Sequence, residues 1–487
     1  LSKAEPIDYT TVTENLIDTL ANAKTVHLYK YLTSEYGSNI ISGQTAYWNE
    51  LIALSSKSPV VRCFDFQSYT QGYSYVWDNA TNGHTFGWFD NGATQEAIDW
   101  YNETHGKGIV SFQWHWHSPN GGTAGTNTFY TNSTTFNASL SVIPGTTEYT
   151  NIIKDIDSIA SQLKRLDNAG IPVLWRPLHE AGGAWFWWGA QGAAVCLQLY
   201  DILYDRLTNY HNLHNLIWVW STPEEDWYPG NAKVDIIGYD SYPGAYNYAT
   251  QKTIFDQLYA IVEGEKMIAM TENGPIPNID DCIEQDAMWL YFSSWSDLVA
   301  EQNTPEHIQT VFAHKNVITL DDVIHKTTQT ISLEQGWNLI SISVSVQCVD
   351  NNLNADSCKI STIFENCDVE VVKNTEGFWK ANQADKLNSL HSLEPNKGYL
   401  VYMNTNATIE ITGIVSMQSV STLPLQNGWN MIGYPCAEES LQPIIISDYF
   451  NATNCKTIKN FNGFWEPNNS MNSIQKLYAG EGYFLYK

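Results

Sequence analysis

Two glutamates each close a short apolar run. One ends Val173-Leu174-Trp175-Arg176-Pro177-Leu178-His179-Glu180, and the other ends Met267-Ile268-Ala269-Met270-Thr271-Glu272. Two carboxyl groups facing each other suit cleavage of a glycosidic bond: one, protonated, gives its proton to the leaving oxygen, and the other, ionised, meets the oxocarbenium-like carbon. Directly after Glu180 comes the glycine and aromatic run Ala181-Gly182-Gly183-Ala184-Trp185-Phe186-Trp187-Trp188-Gly189. Flat rings with polar tips match pyranoses, whose faces are apolar C–H surfaces and whose edges carry hydroxyls. A single glutamate at a strand end would read as a surface charge. Two of them, with aromatics behind, read as a site.

Other polar or aromatic residues close apolar runs as well: Gln44, Asp65 with Gln67, His115 with His117, His179, Trp220 with Ser221, Asp240 with Tyr242, Asn273 and Trp295. Such groups are costly in a core and make sense around a hydroxylated ligand. His115 and His117 have the His-x-His spacing of a metal pair, but no third ligand is evident, so no metal is expected. Asp65 either contacts substrate or is ordered by Arg62 or a neighbouring strand.

The elements that would position these residues alternate in type. Strand-like runs fall at residues 39–43, 59–66, 108–116, 172–178, 216–220, 234–239, 267–271 and 289–295, with amphipathic stretches such as 151–169, 193–209 and 253–263 between them. Eight β-α units predict a (β/α)8 TIM barrel, an α/β fold whose site lies at the C-terminal ends of the strands. A Gly-, Thr-, Ser- and Asn-rich stretch over residues 120–144 predicts a long loop after the third strand, bearing on whether the cleft ends are open.

Beyond about Thr327 the texture becomes β-rich and repeats itself. Gly336-Trp337-Asn338-Leu339-Ile340 returns as Gly428-Trp429-Asn430-Met431-Ile432, Gly377-Phe378-Trp379 returns as Gly463-Phe464-Trp465, and Gly398-Tyr399 returns as Gly482-Tyr483. Two small all-β, sandwich-like domains are therefore expected, giving boundaries of 1–326, 327–415 and 416–487. Trp379 and Trp465 would be either exposed stacking platforms for polysaccharide or core aromatics. Aligning the repeats sets Cys348 against Cys436 and Cys367 against Cys455, which suggests one disulfide inside each, with Cys358 left to bridge elsewhere and Cys282 a candidate.

Arg176-Pro177-Leu178-His179-Glu180 with Trp185-Phe186-Trp187-Trp188-Gly189 resembles the acid/base strand of glycoside hydrolase family 26. Met270-Thr271-Glu272-Asn273-Gly274 is similar to that family's nucleophile strand, and Phe112-Gln113-Trp114-His115-Trp116 and Gly238-Tyr239-Asp240-Ser241-Tyr242 resemble its third and sixth strand ends. The likeness covers roughly residues 5–325. It implies a barrel that hydrolyses β-linked polysaccharide with retention, most often as an endo-β-1,4-mannanase, with Glu180 as acid/base and Glu272 as nucleophile. His115, His179, Trp185, Asp240, Tyr242 and Trp295 are then the expected substrate-binding residues. Tyr242 would donate to Glu272, Trp185 would stack on the leaving side, and Trp295 would lie under the distorted sugar. A β-1,3-xylanase, a mixed-linkage β-glucanase and a non-catalytic carbohydrate-binding protein are the alternatives.

Composition agrees with a neutral polymer as partner. A formal net charge of −27 repels nucleic acid and anionic membranes, and no apolar run is long enough to span a bilayer. The chain begins at Leu1 and carries Asn-x-Ser/Thr sequons at Asn79, Asn102, Asn132, Asn137, Asn406, Asn451 and Asn468, features expected of a secreted, glycosylated protein. No cofactor is implied, and a monomer is expected.

Overall fold

The computed structural model describes residues 6–70, 90–123, 126–323, 326–345, 359–415, 423–435, 441 and 443–487. The chain divides into two compact units, Leu1–Val323 and Ile324–Lys487.

The first unit is a closed barrel of eight parallel strands. They are β1 (Gly43–Thr45), β2 (Val61–Asp65), β3 (Ile109–Gln113), β4 (Val173–Arg176), β5 (Leu216–Trp220), β6 (Ile236–Ser241), β7 (Met267–Asn273) and β8 (Phe292–Trp295). Strands β3, β5 and β7 are buried along their whole length, as parallel strands covered on both faces must be. The stretch expected as the first strand is divided. Ile40–Ile41 pairs in parallel with Val317–Ile318 outside the barrel, while Gly43 begins β1 and closes the barrel against β8. The close approach explains the glycine: a Cβ there would meet the Phe292 carbonyl oxygen at 2.5 Å.

Helices cover the strands. The longest, Thr147–Asn168, starts at a Thr146 cap whose side chain accepts from the Tyr149 N–H. It buries Ile152, Ile156, Ile159, Leu163 and Leu166, an i, i+4, i+7 stripe facing the sheet. The stretch expected as one helix over residues 193–209 is an α-helix over Ala193–Tyr204 that widens into a π-turn over Asp205–Tyr210. No helix among the described residues is long and apolar enough to cross a membrane.

The second unit is antiparallel β. Its two repeats build four-stranded sheets of the same order. Gly336–Ser341, Gly398–Met403, Val369–Lys373 and Phe378–Lys380 make one, and Trp429–Ile432, Tyr483–Tyr486, Thr457–Lys459 and Phe464–Trp465 make the other. Both contribute to one hydrophobic cluster, with Val372, Tyr399 and Val401 from the first repeat and Ile458, Tyr483 and Leu485 from the second. The repeated Gly-Trp-Asn is turn chemistry. Gly336 and Gly428 hold φ near +99° and +96°, and the Asn338 and Asn430 amides each bond both ways to the residue four positions back.

Cys348, Cys358 and Cys436 lie outside the described residues, and each expected disulfide has one of them as a member. The described cysteines, Cys63, Cys196, Cys282, Cys367 and Cys455, are free.

Candidate active site

At the C-terminal end of β4 the chain leaves extended geometry abruptly. Leu178, Glu180 and Ala184 all have φ between 53° and 56°, a left-handed conformation that costs a non-glycine residue of order 1 kcal/mol or more. The segment that follows the neighbouring strand β5 holds it there. The Glu180 N–H donates to the Ser221 carbonyl at 3.0 Å, and the Ala181 N–H donates to the Thr222 hydroxyl at 3.0 Å. This turn throws the Glu180 side chain over the barrel mouth, and a short 3-10 turn, Ala181–Gly183, brings Trp185 back toward it. The Trp185 indole N–H donates to Glu180 Oε2 at 2.9 Å, while the residue stays 48% exposed. Gly183 permits this return, since a Cβ there would meet the Trp185 ring at 2.0 Å.

Across the mouth, β7 delivers Glu272. The ladder between β6 and β7 slips between Gly238 and Asp240, and the ladder between β7 and β8 slips between Met270 and Asn273. Such bulges re-aim side chains. The first sets Asp240 opposite Glu272. One carboxyl oxygen each from Glu180, Asp240 and Glu272 then lie within 4.8 Å of one another.

The two glutamates have different surroundings. Both oxygens of Glu272, which is nearly buried, accept hydrogen bonds, Oε1 from the Tyr242 hydroxyl at 2.5 Å and Oε2 from Arg176 Nη2 at 2.6 Å. Among the described residues, the Glu180 carboxyl has only the indole. Burial, and then the charge of Glu272, push its carboxyl above the ordinary glutamate range. One acid is thus favoured in its protonated form, and its neighbour is presented as an acceptor on both oxygens.

Arg176 organises this half of the site. It is fully buried, and its guanidinium bonds Asp240 at 2.7 Å, Glu272 at 2.6 Å, Ser221 at 3.1 Å and the Gln113 side-chain oxygen. Thr271 donates to the other Asp240 oxygen at 2.7 Å. The guanidinium is thus a buried cation between two buried carboxylates, with Nε lacking a partner among the described residues, and removing any one of the three would strand the others.

The remaining expected residues divide into two groups. His115 joins the site through Asp65: its Nδ1 lies 2.5 Å from Asp65 Oδ2, and its N–H donates to Oδ1 at 3.1 Å. Burial disfavours the imidazolium, but the Asp65 carboxylate outweighs it and raises the His115 pKa. Asp65 is ordered by His115 and by Gln113 of the neighbouring strand, whereas Arg62 pairs with Glu96 instead. His179 is buried against His115, Phe186 and Trp188, with Nδ1 lacking a hydrogen-bond partner, and burial holds it well below the usual histidine range and neutral. Trp295 packs 5.8 Å from the His115 ring. Tyr242 remains 40% exposed beside Glu272.

His117 belongs to the other group. It contacts Gln67 and Thr128, and burial drops its pKa to about 3. The two histidines of the His-x-His pair therefore have different partners and opposite shifts. The residues that the sequence pattern did not single out are Arg176, Gln113 and Thr271. Arg176 stood in plain view within its motif, but its partners lie 45 to 96 positions away.

Residues 17–322 match the family model for glycosyl hydrolase family 26. A mannan endo-1,4-β-mannosidase of Thermothelomyces thermophilus is 38% identical over 67% of this chain and 64% of its own length. Mannan endo-1,4-β-mannosidase B of a Piromyces species is 36% identical over 64% of this chain and 55% of its own. The chain thus spans between half and two thirds of these relatives. Among solved structures, a Podospora anserina GH26-CBM35 β-(1,4)-mannanase superposes with a TM-score of 0.60 at 38% identity, covering 66% of this chain and 71% of that one. A β-mannanase from a symbiotic protist of the termite Reticulitermes speratus, complexed with gluco-manno-oligosaccharide, gives 0.57 at 31% identity, covering 64% and 98%.

Proposed function

The chain belongs to glycosyl hydrolase family 26, and from that premise we propose that it is a retaining endo-β-1,4-mannanase. It hydrolyses internal β-1,4-mannosidic bonds of mannan, glucomannan or galactomannan by double displacement. One observation carries the reading: two glutamates at the C-terminal ends of different strands, with oxygens within 4.8 Å, one favoured as acid and the other accepting on both oxygens. Carboxyl groups about 5 to 5.5 Å apart leave no room for a water between nucleophile and sugar, which is the retaining geometry. The mannan substrate is the one named for the relatives above.

In the first step a Glu272 oxygen attacks the anomeric carbon while Glu180 gives its proton to the departing oxygen, so the C–O bond breaks as the glycosyl ester forms. Esterification removes the Glu272 charge that had raised the Glu180 pKa. Glu180, now ionised, accepts a proton from water, which attacks the same carbon and releases Glu272. Arg176 and Tyr242 hold Glu272 in line. Asp240, His115 and His179 bind hydroxyls of the sugar being hydrolysed, Trp295 lies under that sugar, and Trp185 stacks on the leaving one. The reaction needs no cofactor. A polymer is degraded outside the cell, so the protein acts after secretion, and the single barrel holds both glutamates, so a monomer suffices.

Reducing-sugar release and product sizes from β-1,4-mannan, glucomannan, mixed-linkage β-glucan and β-1,3-xylan test this, with wild type beside Glu272→Ala. Mixed manno-oligosaccharides that vanish in the variant are expected. Mannobiose alone would mean exo action, activity on another polymer would move the substrate, and silence on all four would leave a binding protein.

A further inference from the structure

The segment that carries Trp185 is braced by the long loop after β3. The Thr131 N–H donates to the Trp185 carbonyl at 2.7 Å, the Trp187 N–H donates to the Phe129 carbonyl at 3.0 Å, and Tyr130 and Phe186 face each other as an antiparallel pair. The Thr131 hydroxyl adds a bond to the Ala184 carbonyl at 2.9 Å. These contacts make a short two-stranded ladder, and each strand of it presents one large exposed ring, Trp185 at 48% and Tyr130 at 40%.

The Tyr130 ring is fixed rather than free. It stacks on Phe186 with centroids 5.5 Å apart and planes 20° apart, and Phe129 leans on it at 4.8 Å. Phe186 in turn packs 5.0 Å from the His179 ring, so a continuous line of rings runs from Tyr130 to the centre of the site. An immobilised, half-exposed aromatic ring whose hydroxyl makes no hydrogen bond among the described residues has the make-up of a sugar platform: an apolar face for C–H groups and a phenol for a hydroxyl. Pre-fixing the ring reduces the ordering cost of binding.

We propose that Tyr130 is a substrate-contacting residue of the leaving-group side, a platform for a sugar of the β-mannan chain beyond the one taken by Trp185. The inference rests on Glu180 as the proton donor, since that assignment makes the indole bonded to Glu180 the marker of the leaving side. Tyr130 therefore determines how many sugars the enzyme grips past the scissile bond.

The test compares full-length wild type, Tyr130→Ala and Tyr130→Phe on manno-oligosaccharides from three to six sugars. Hydrolysis in H2(18)O with mass spectrometry of the products reports which bond is cut. The alanine variant should lose roughly three- to tenfold in kcat/KM on the five- and six-sugar substrates, the range expected for one aromatic contact, and nothing on the three-sugar one. Its cleavage register should shift toward poses with fewer sugars on the leaving side. The phenylalanine variant, which keeps the ring and loses only the phenol, should fall less than the alanine variant on the five- and six-sugar substrates and match wild type on the three-sugar one. Equal loss on all lengths would mean that Tyr130 merely supports Phe186, and an unchanged register with unchanged rates would mean that the ring touches no sugar; either overturns the proposal. A wild-type enzyme that cuts none of these substrates overturns the mannanase reading itself, and this inference with it.

Discussion

As the proposed acid/base, Glu180 would have to carry a proton into the first step and lose it by the second, so its environment has to hold a pKa between two demands. Burial and the Glu272 charge raise it, while the Trp185 indole, donating at 2.9 Å, pulls it back down. The alkaline limb of kcat/KM reports this acid in the free enzyme. Trp185→Phe removes the donor and keeps a ring for stacking. The carboxyl then ionises less readily, and the limb should move to higher pH, with a loss at the optimum of less than about tenfold because only one hydrogen bond is gone. A pH series on a soluble mannan measures it. An unmoved limb, or one moved to lower pH, would detach the indole from the acid. Glu180 and Glu272 were both legible as carboxylates ending apolar runs. The indole-to-acid bond was not, because it depends on a left-handed turn at Glu180 that no local propensity favours. Arg176 was hidden for a related reason: its cation is balanced by groups on three other strands, a relation that only barrel closure creates.

At the scale of elements, the barrel strands were visible as apolar runs, and the differences arise where tertiary contacts override periodicity. Residues 39–43 read as one strand because Ile40 and Ile41 run on into Ser42 and Gly43 without a turn signal before Gly43, yet Ile40–Ile41 finds its partner in Val317–Ile318, near the other end of the unit. The helix Thr147–Asn168 read correctly as amphipathic, but its buried face contains an acid. Asp155 is fully buried, with Oδ2 accepting from the Trp116 indole at 2.9 Å and Oδ1 lacking a partner. Burial raises its pKa well above the ordinary aspartate value. The sign follows directly. Below the unfolded pKa the group is neutral in both states. As pH rises through that value the unfolded chain ionises while the folded one resists, so stability is lost at about 1.4 kcal/mol per pH unit until the folded pKa is reached. Asparagine keeps the acceptor and cannot ionise. Asp155→Asn should therefore melt higher than wild type at pH 7, with the gap closing as pH falls toward 4. A constant gap across that range would show that ionisation plays no part.

At the scale of the whole molecule, the repeats show how one pattern can point to two uses. Gly-Phe-Trp recurring at matched positions was compatible with sugar platforms or with a shared core, and the rings divide unevenly. Trp465 is 5% exposed within the core of the Ile324–Lys487 unit, and Trp379 is half-buried against the same core. Among the described tryptophans of this unit, Trp337 and Trp429 are the exposed ones, at 44% and 51%, each with a lysine ammonium over its face: Lys373 at 4.5 Å and Lys459 at 4.3 Å. Within the Gly-Phe-Trp motif it is the phenylalanines, Phe378 at 43% and Phe464 at 36%, that face solvent rather than the tryptophans. The barrel draws on a separate hydrophobic cluster, so damage to the β unit's core should leave the chemistry alone. Trp465→Ala removes a large buried ring at a cost of about 3–5 kcal/mol, whereas Trp337→Ala deletes an exposed one and should cost well under half of that. Calorimetry of the full chain should show the unfolding of the β unit shifted down in the first variant and almost unmoved in the second. Rates on soluble mannan should match wild type in both. Equal destabilisation by the two substitutions would mean that the exposed ring carries as much of the fold as the buried one, and a fall in hydrolysis with Trp465→Ala would make the barrel's catalysis depend on the integrity of the repeats.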